Sequence, residues 1–578
     1  MNTRNRAPTR HDLIALALFS GALLIPPAHA QTPQSRACNA WTNSKPTSLG
    51  ADGWAAVGAP VTGGCGALPV KIYNVSNRSQ LVNALTGGNP AAIIPDPAPK
   101  IIYINGSIDL NVDDNNQPLT EESYMRMCNY TAHATYYDPV THDQSGNGGF
   151  FGAYKTAYDP NTWLKQSLDP ADNRPPALTG PLEDARMCFV EQQMKRVLIR
   201  VGSNTSLIGK PGTNPKITNG NLLLGALRTT NLDQNYEAEN IVIRNITFAD
   251  SFDMFPGWDP KDSFSIIITN TGGCQAIYDA ASDSGPHRCV ARGGRWNSEY
   301  DNISVENARR VWIDSNTFTD EPRIDKLYPP VFAAPFNEAT QKTQHHDGQV
   351  DVTLGGTQVT MSYNVFKTHD KTNLLGGSDT ASAATGYGPG RIDVTFHHNY
   401  WLNTVQRMPR VRFGRVHVYN NFYDLDWRSS ADYRLGETWT VGTAAKLLAQ
   451  NNVLDVRNTS LVPSSKIGGY SSTTANRNRC TAAGFSLAEC GTYFFDSGTI
   501  VTTITATNTT TELQDIFAAV KVKQESSVNN APLFKLDPSD PAVFWKPGYP
   551  YALLPVSNAT EQAALRSAVV AKAGAGKL

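Results

Sequence analysis

The chain has 578 residues and a formal net charge of −1 at pH 7, with 50 Lys and Arg against 51 Asp and Glu. That balance excludes recognition of nucleic acid by overall charge, so electrostatic recognition has to come from local clusters. The eight cysteines are even in number and widely spread, and none forms a CxxC spacing, which argues against zinc or iron-sulfur ligation.

At the N-terminus Arg4, Arg6 and Arg10 precede the apolar run Leu13 to Ile25 and then Ala28-His29-Ala30. This order predicts a secretory signal peptide over residues 1–30. No later run approaches the length a membrane span needs. The mature product is expected to be secreted, soluble, free of the membrane and monomeric. Export favours disulfides over free buried thiols, although their connectivity does not follow from the sequence.

Val70 to Val75 reads as a strand and Ser79 to Leu85 as a short helix capped by Ser, a pair suited to cover an open sheet edge. Lys100 to Asp109 gives the next strand and turn. Residues 111–182 are polar, rich in Tyr, Asp and Pro, and read as a long excursion clipped by Cys128 and Cys188. Glu183 to Lys195 looks helical. Strands follow at Val197 to Val201, Ser203 to Gly209, Leu222 to Leu227 and Glu239 to Phe248, with a loop at Asp253 to Asp259 and a strand at Ser263 to Asn270. A second clipped loop is expected from Cys274 to Cys289, strands resume between Trp296 and Val305, and Asp320 to Thr343 is a further insertion. The regular core is expected over about 70–454, with a looser segment over 455–578 ending in a helix at Glu561 to Lys572.

One short pattern recurs through this core: a Val, an apolar residue two places on, an Asn five places on, then an aromatic. It stands at Val311-Ile313-Asn316-Phe318, Val359-Met361-Asn364-Phe366, Val394-Phe396-Asn399-Trp401 and Val416-Val418-Asn421-Tyr423, with a looser relative ending in Asn245 and Phe248. Alternating apolar and β-branched residues ending at Asn, with irregular insertions between copies, predict an all-β parallel β-helix or solenoid with long excursions and helical end caps. The Asn is expected at a turn, where its side chain tolerates the left-handed region and bonds nearby backbone. A β-sandwich with similar strand spacing is the alternative.

The chemistry-bearing residues fall beside this pattern. Asp347 and Asp351 are four apart and face the same way on an extended chain, and Asp301 could join them from a stacked coil. Three hard oxygen ligands suit Ca²⁺; capping of turns is the bland alternative for the same residues. Lys371 follows, then Arg407, Arg410 and Arg412 within six residues. Cations beside a carboxylate nest fit a polyanion whose carboxylates bridge a metal and bond guanidinium groups. The pairs His345-His346 and His397-His398 are expected to pack or hydrogen bond rather than to bind metal, since neighbours on a strand face opposite sides. There is no G-x-S-x-G elbow.

The motifs VGSNTSLIG, ENIVIRNITF, FPGWDP, WNSEYDNISV, VWIDSNTF, HHDGQVDVT, VTMSYNVFKTHDKTNLLG and VTFHHNYWLNTVQRMPRVRFGRVHVYNN, in this order, resemble those of polysaccharide lyase family 1 pectate lyases. The resemblance covers roughly Val70 to Asp424. It implies a right-handed parallel β-helix and calcium-dependent cleavage of polygalacturonate, an acidic polysaccharide, by β-elimination. Carried over residue by residue, it makes Asp301, Asp347 and Asp351 calcium ligands and Arg407 the group that takes the C5 proton. Lys371 and Arg412 take substrate-binding positions, with Arg410 in the same loop. A guanidine base implies an alkaline optimum, because an unperturbed guanidinium keeps its proton above pH 12. Ser315 departs from the family, which commonly has His after WID. A pectin lyase acting on methylated polymer without calcium, a hydrolytic polygalacturonase, and a non-catalytic pectin-binding β-helix are the rival readings. The acidic trio argues against the first, and Arg407 and Lys371 argue against the last.

Overall fold

The computed structural model describes residues 52–90, 94–163, 177–225, 237–269, 288–333, 342–380, 390–536 and 547–577. The expected signal peptide and most of the Cys274 to Cys289 loop lie outside these residues.

Three long sheets run side by side, of eleven, ten and eight strands, and the chain visits them in rotation. One coil takes Thr357–Ser362 in the eleven-stranded sheet, Val365–Lys371 in the ten-stranded and Leu374–Leu375 in the eight-stranded; the next takes Ile392–His397, Tyr400–Gln406 and Arg410–Val411. Pairing between coils is parallel and in register, with Val359 opposite Val394 and Val394 opposite Val416. The molecule is the expected parallel β-helix. Its interior is one continuous apolar core, in which Val311, Val359, Val394, Val416 and Leu447 are all buried. The aromatics of the repeat stack coil on coil in the ten-stranded sheet. Phe248, Phe318, Phe366, Trp401 and Tyr423 stand successively 5.2, 5.2, 5.1 and 4.6 Å apart, with near-parallel rings.

The repeated asparagines form a ladder at the turn from the eleven- to the ten-stranded sheet. The backbone N–H and Nδ2 of Asn364 both donate to Oδ1 of Asn399, at 2.9 and 3.1 Å, and Asn399 donates likewise to Asn421 and Asn421 to Asn452. The other Nδ2 hydrogen bonds a backbone carbonyl, as in Asn399 Nδ2 to Met361 O at 2.8 Å. The left-handed residue is the one before the ladder Asn, rather than the Asn itself: Ser315, Tyr363, His398, Asn420 and Asn451 have φ of 49 to 57°. Asn245 takes this preceding position, since Arg244 pairs with Asp314, and Ile246 N–H donates to Asn316 Oδ1 in place of a rung.

Several expectations are corrected. The helix expected at Ser79 to Leu85 spans Arg78–Thr86 and is capped by Asn77, whose side chain accepts from Gln80 N–H, and not by a serine. It does close the start of the solenoid, with Leu81, Ala84 and Leu85 in the main core. The described parts of the expected excursion, residues 111–163 and 177–182, belong to a folded helical lobe. Helices Glu121–Met127, Gly149–Ala157 and Pro181–Val197 enclose a separate cluster of Tyr124, Tyr136, Phe150, Tyr154 and Phe189, joined by the Cys128–Cys188 disulfide. The strand expected at Ser263 is part of a longer one, Gly257–Thr269, paired antiparallel with Arg288–Asn297 as a ribbon outside the coils. The coils continue past Leu454 through Thr492–Ser497 and Ile500–Ile504 to Leu533–Lys535. The pattern fades there because Thr499 follows Asn452 in register, so a threonine holds the turn that an asparagine held before. The C-terminal helix, expected at Glu561 to Lys572, spans Ala559–Lys572 and lays Leu565 and Val569 against Phe422 and Val453 outside the barrel.

Candidate functional site

The charged residues singled out in the sequence meet where the ten-stranded sheet turns into the eight-stranded one. Asp301 precedes strand Ile303–Glu306, and Asp351 is the second residue of Val350–Thr353, which pairs with it. That pairing brings Asp301 beside Gly348: Asn302 N–H donates to Gly348 O at 3.1 Å and Gly348 N–H to Asp301 Oδ1 at 2.7 Å. A Cβ on Gly348 would stand 2.4 Å from Asp351 Oδ1 and 2.7 Å from Asp301 Oδ1. Oxygens of both carboxylates therefore converge on a space that only glycine leaves open. Ser304 Oγ and Leu374 N–H hold them from outside, at 2.6 Å to Asp301 Oδ2 and 2.9 Å to Asp351 Oδ1.

Two carboxylates so close, with few donors, resist ionisation. Burial and then the charge of Asp347 push the Asp301 carboxyl up to about 6. Burial and then Asp301 and Asp347 push Asp351 well above the carboxylate range. Asp347 differs. Burial raises it, but the Lys371 ammonium at 2.5 Å and the Arg407 charge outweigh that and hold it below its ordinary value. Its side chain is 33% exposed, whereas Asp351 is buried. An all-oxygen pair around an open space, with a third carboxylate at its edge, fits a hard divalent cation such as Ca²⁺.

The cations arrive on the next two coils. Lys371 ends strand Val365–Lys371 and pairs with Gln406, so Arg407 begins the turn directly beyond it. Arg407 adopts φ 59°, its carbonyl accepts from Asn373 N–H at 2.7 Å, and its Nε is buried without a hydrogen bond. Arg410 lies opposite Leu374, the neighbour of Asp351; burial, then the charges of Arg412 and Arg407, push it down to about 10. Arg412 is tied back: Nε pairs with Asp379 Oδ1 at 3.0 Å and Nη1 donates to Gly376 O at 3.0 Å.

Asp301, Asp347, Asp351, Lys371 and Arg407 thus come together, and Arg410 and Arg412 flank them. Ser304, Gly348 and Asp379 were missed by sequence reasoning. Gly348 had a signal, a glycine between two aspartates in HDGQVD. Asp379 had none, because its partner lies one coil away. Among the described residues, the group of three donor side chains packed most closely, within 4.8 Å, is another one: Asp320, Asp325 and His346. The remaining histidines behave as expected. His345 Nδ1 hydrogen bonds Asp253 O and its ring stacks on Phe252 at 4.3 Å, while His397 contacts Asp52.

With this geometry in hand, comparison with known proteins is specific. The family model described as pectate lyase matches residues 286–578. The pectate lyase of Bacillus subtilis (strain 168) is 37% identical over 405 residues, 70% of this chain and 75% of that protein; pectate lyase D of Dickeya chrysanthemi is 27% identical over 415 residues, 72% of each. A pectate lyase structure from Acidovorax avenae subsp. citrulli superposes with a TM-score of 0.70 at 36% identity, over 93% of this chain and 98% of that one. A pectate lyase bound to a hexasaccharide gives 0.61 at 32% identity, over 91% and 97%. On these matches, and on its parallel β-helix, the chain belongs to the pectate lyase family of polysaccharide lyases.

Proposed function

We propose that the protein is a secreted, monomeric, calcium-dependent pectate lyase that cleaves (1→4)-α-D-galacturonan by β-elimination. The observation that carries this reading is the run of Lys371, Arg407, Arg410 and Arg412 on coils next to the open Asp301–Asp351 space at Gly348. A uronate polymer presents one carboxylate per sugar, and such a row answers it with one cation after another. A pectate lyase of similar structure binds a hexasaccharide. Export agrees with the two described disulfides, Cys128–Cys188 and Cys480–Cys490. Among the described residues no helix is long and apolar enough to cross a membrane.

In this reading Asp301, Asp351 and Asp347 would hold the metal. Ca²⁺, when bound, supplies positive charge at the substrate carboxylate, where charge develops as the C5 proton leaves. Lys371, Arg410 and Arg412 orient the flanking carboxylates. Arg407 Nη accepts the C5 proton; the C5–H electrons form the C4=C5 double bond, and the C4–O4 bond breaks with its pair on O4, which takes a proton from solvent. Arg407 follows Gln406, the strand partner of Lys371, and its charge acts on Asp347, which supports this role.

The test is ultraviolet absorbance of the conjugated unsaturated product when the purified protein meets polygalacturonate at alkaline pH, with Ca²⁺ and then with chelator. A rise that chelator abolishes is expected. A rise only on methylated pectin, indifferent to chelator, would make it a pectin lyase. No rise from folded protein in calcium would point to a hydrolase or a non-catalytic binding module.

A further inference from the structure

The tightly packed group next to the site has features of its own. Asp320 follows strand Thr317–Thr319, Asp325 opens the short 3-10 turn Asp325–Leu327, and His346 precedes Asp347 in the chain. All three are buried, at 2, 3 and 4% exposure, and one ligand atom from each lies within 4.8 Å of the others. The His346 ring turns to Asp250 and Asp320, whereas Asp347 turns to Lys371.

The hydrogen bonds around His346 leave one nitrogen uncommitted. Nε2 meets Asp250 Oδ1 at 2.9 Å, and Asp250 is fixed in turn by Arg323 Nε at 2.8 Å. A carboxylate acceptor places the proton on Nε2 and leaves a lone pair on Nδ1. Nδ1 is buried without a hydrogen bond and faces Asp320 Oδ2 across 3.8 Å. Asp325 Oδ2 is also buried without one; Lys342 Nζ stands 3.6 Å from it. Asp320 is oriented by His369 Nδ1, at 2.7 and 2.8 Å to its two oxygens. A nitrogen lone pair and two carboxylate oxygens turned toward one another in a buried space repel unless a cation stands between them.

We propose that Asp320, Asp325 and His346 Nδ1 form a second metal site, for a first-row divalent transition ion of the zinc class, with water completing its coordination. An imidazole nitrogen with two carboxylates suits Zn²⁺, Mn²⁺ or Co²⁺, whereas the all-oxygen set at Gly348 suits Ca²⁺. The Asp250–His346 pair is the outer carboxylate that metal-bound histidines use to fix their tautomer, and His369 serves Asp320 in the same way. The ion would tie the insertion beginning at Asp320 to the segment carrying Asp347. Two other cations compete for the space, a proton on His346 Nδ1 and the Lys342 ammonium.

The experiment is titration of metal-free full-length protein with Co²⁺ in excess Ca²⁺, which keeps the carboxylates at Gly348 occupied. Visible ligand-field bands read the nitrogen-containing site, and elemental analysis after Zn²⁺ loading and desalting reads stoichiometry. The expected result is one equivalent of transition ion, retained in Asp351→Asn and lost in Asp325→Asn and His346→Gln. Asp250→Asn, which removes only the outer carboxylate, should weaken binding roughly 10- to 100-fold. Wild-type protein that takes up no transition ion in excess Ca²⁺ would overturn the proposal and assign the space to a proton or to Lys342, whether or not the variants fold. Undiminished binding in folded Asp325→Asn would overturn it as well.

Discussion

The two turns flanking the ten-stranded sheet are made by the same coils and follow opposite rules. At the turn into it, the backbone N–H and side-chain amide of Asn316, Asn364, Asn399 and Asn421 each donate to the next asparagine of the ladder, ending at Asn452. At the turn out of it, carboxylates converge on Gly348 with raised proton affinity, and Arg407 Nε has no hydrogen-bond partner. A satisfied turn can repeat indefinitely, because each rung offers the next what it received. An unsatisfied turn has groups left over for a ligand, and its cost is carried by the regular coils above and below it. The molecule separates stability from chemistry by assigning them to different corners of one cross-section.

Substitutions at the two turns should therefore fail in different ways. The largest effect is expected for Arg407→Lys, which keeps the charge and loses the guanidine. Turnover should fall about 100-fold or more, with calcium affinity and circular dichroism unchanged; near wild-type turnover at high pH would remove Arg407 from the proton transfer. Gly348→Ala should come next. The added methyl would crowd the Asp301 and Asp351 oxygens, a clash of about 1–3 kcal/mol or roughly ten- to a hundredfold in a binding constant, and titration calorimetry should find calcium binding weakened by that factor in folded protein. Unchanged affinity would show that the metal does not sit between Asp301 and Asp351. Asn399→Ala should reverse the pattern. It leaves the buried Asn364 N–H and Met361 O without partners, so the denaturation midpoint should report a loss of about 3 kcal/mol while activity per folded molecule is kept. A larger loss of activity than of stability would mean that the two turns are coupled.

The smallest effect tests the place where the ladder stops. Asp496 accepts from Thr499 Oγ1, and burial, the dominant influence, pushes its carboxyl up to about 7 from 3.8. Between those values the unfolded chain has released the proton and the folded chain retains it, so the folded state binds more protons and its stability falls as pH rises. Asp496→Asn should flatten the dependence of melting temperature on pH between about 4 and 7 without changing activity. An unchanged slope would mean that the carboxyl ionises freely in the folded protein.

The sequence carried the ladder and the site unequally. A period in Val, Asn and aromatic residues is the direct imprint of stacked coils, and it located Asn316, Asn364, Asn399 and Asn421 together with the aromatic column. It misplaced Asn245 by one position, because αL and ladder residues are adjacent and both favour Asn. It ended too early because Thr499 serves the same turn with a different side chain. The helical lobe was illegible as structure: its aromatics at Tyr124, Tyr136, Phe150 and Phe189 pack as a cluster with no repeat, and only the two cysteines hinted that its ends meet. The charged residues of the other turn were singled out by type and spacing, and resemblance supplied their expected roles, but their internal pairing was not legible. That Asp347 engages Lys371 while Asp301 and Asp351 face the glycine depends on side-chain direction, which spacing alone does not give.

The asparagine ladder also has a direction. Each rung donates toward the higher-numbered coil and accepts from the lower, so the amide dipoles align along the axis of the β-helix and do not cancel. Chains of hydrogen bonds arranged this way polarise one another. The column from Asn316 to Asn452 is thus a buried line of aligned charge separation, negative toward the first coils and positive toward the last, and a rung turned the other way would break the field as well as the bonds.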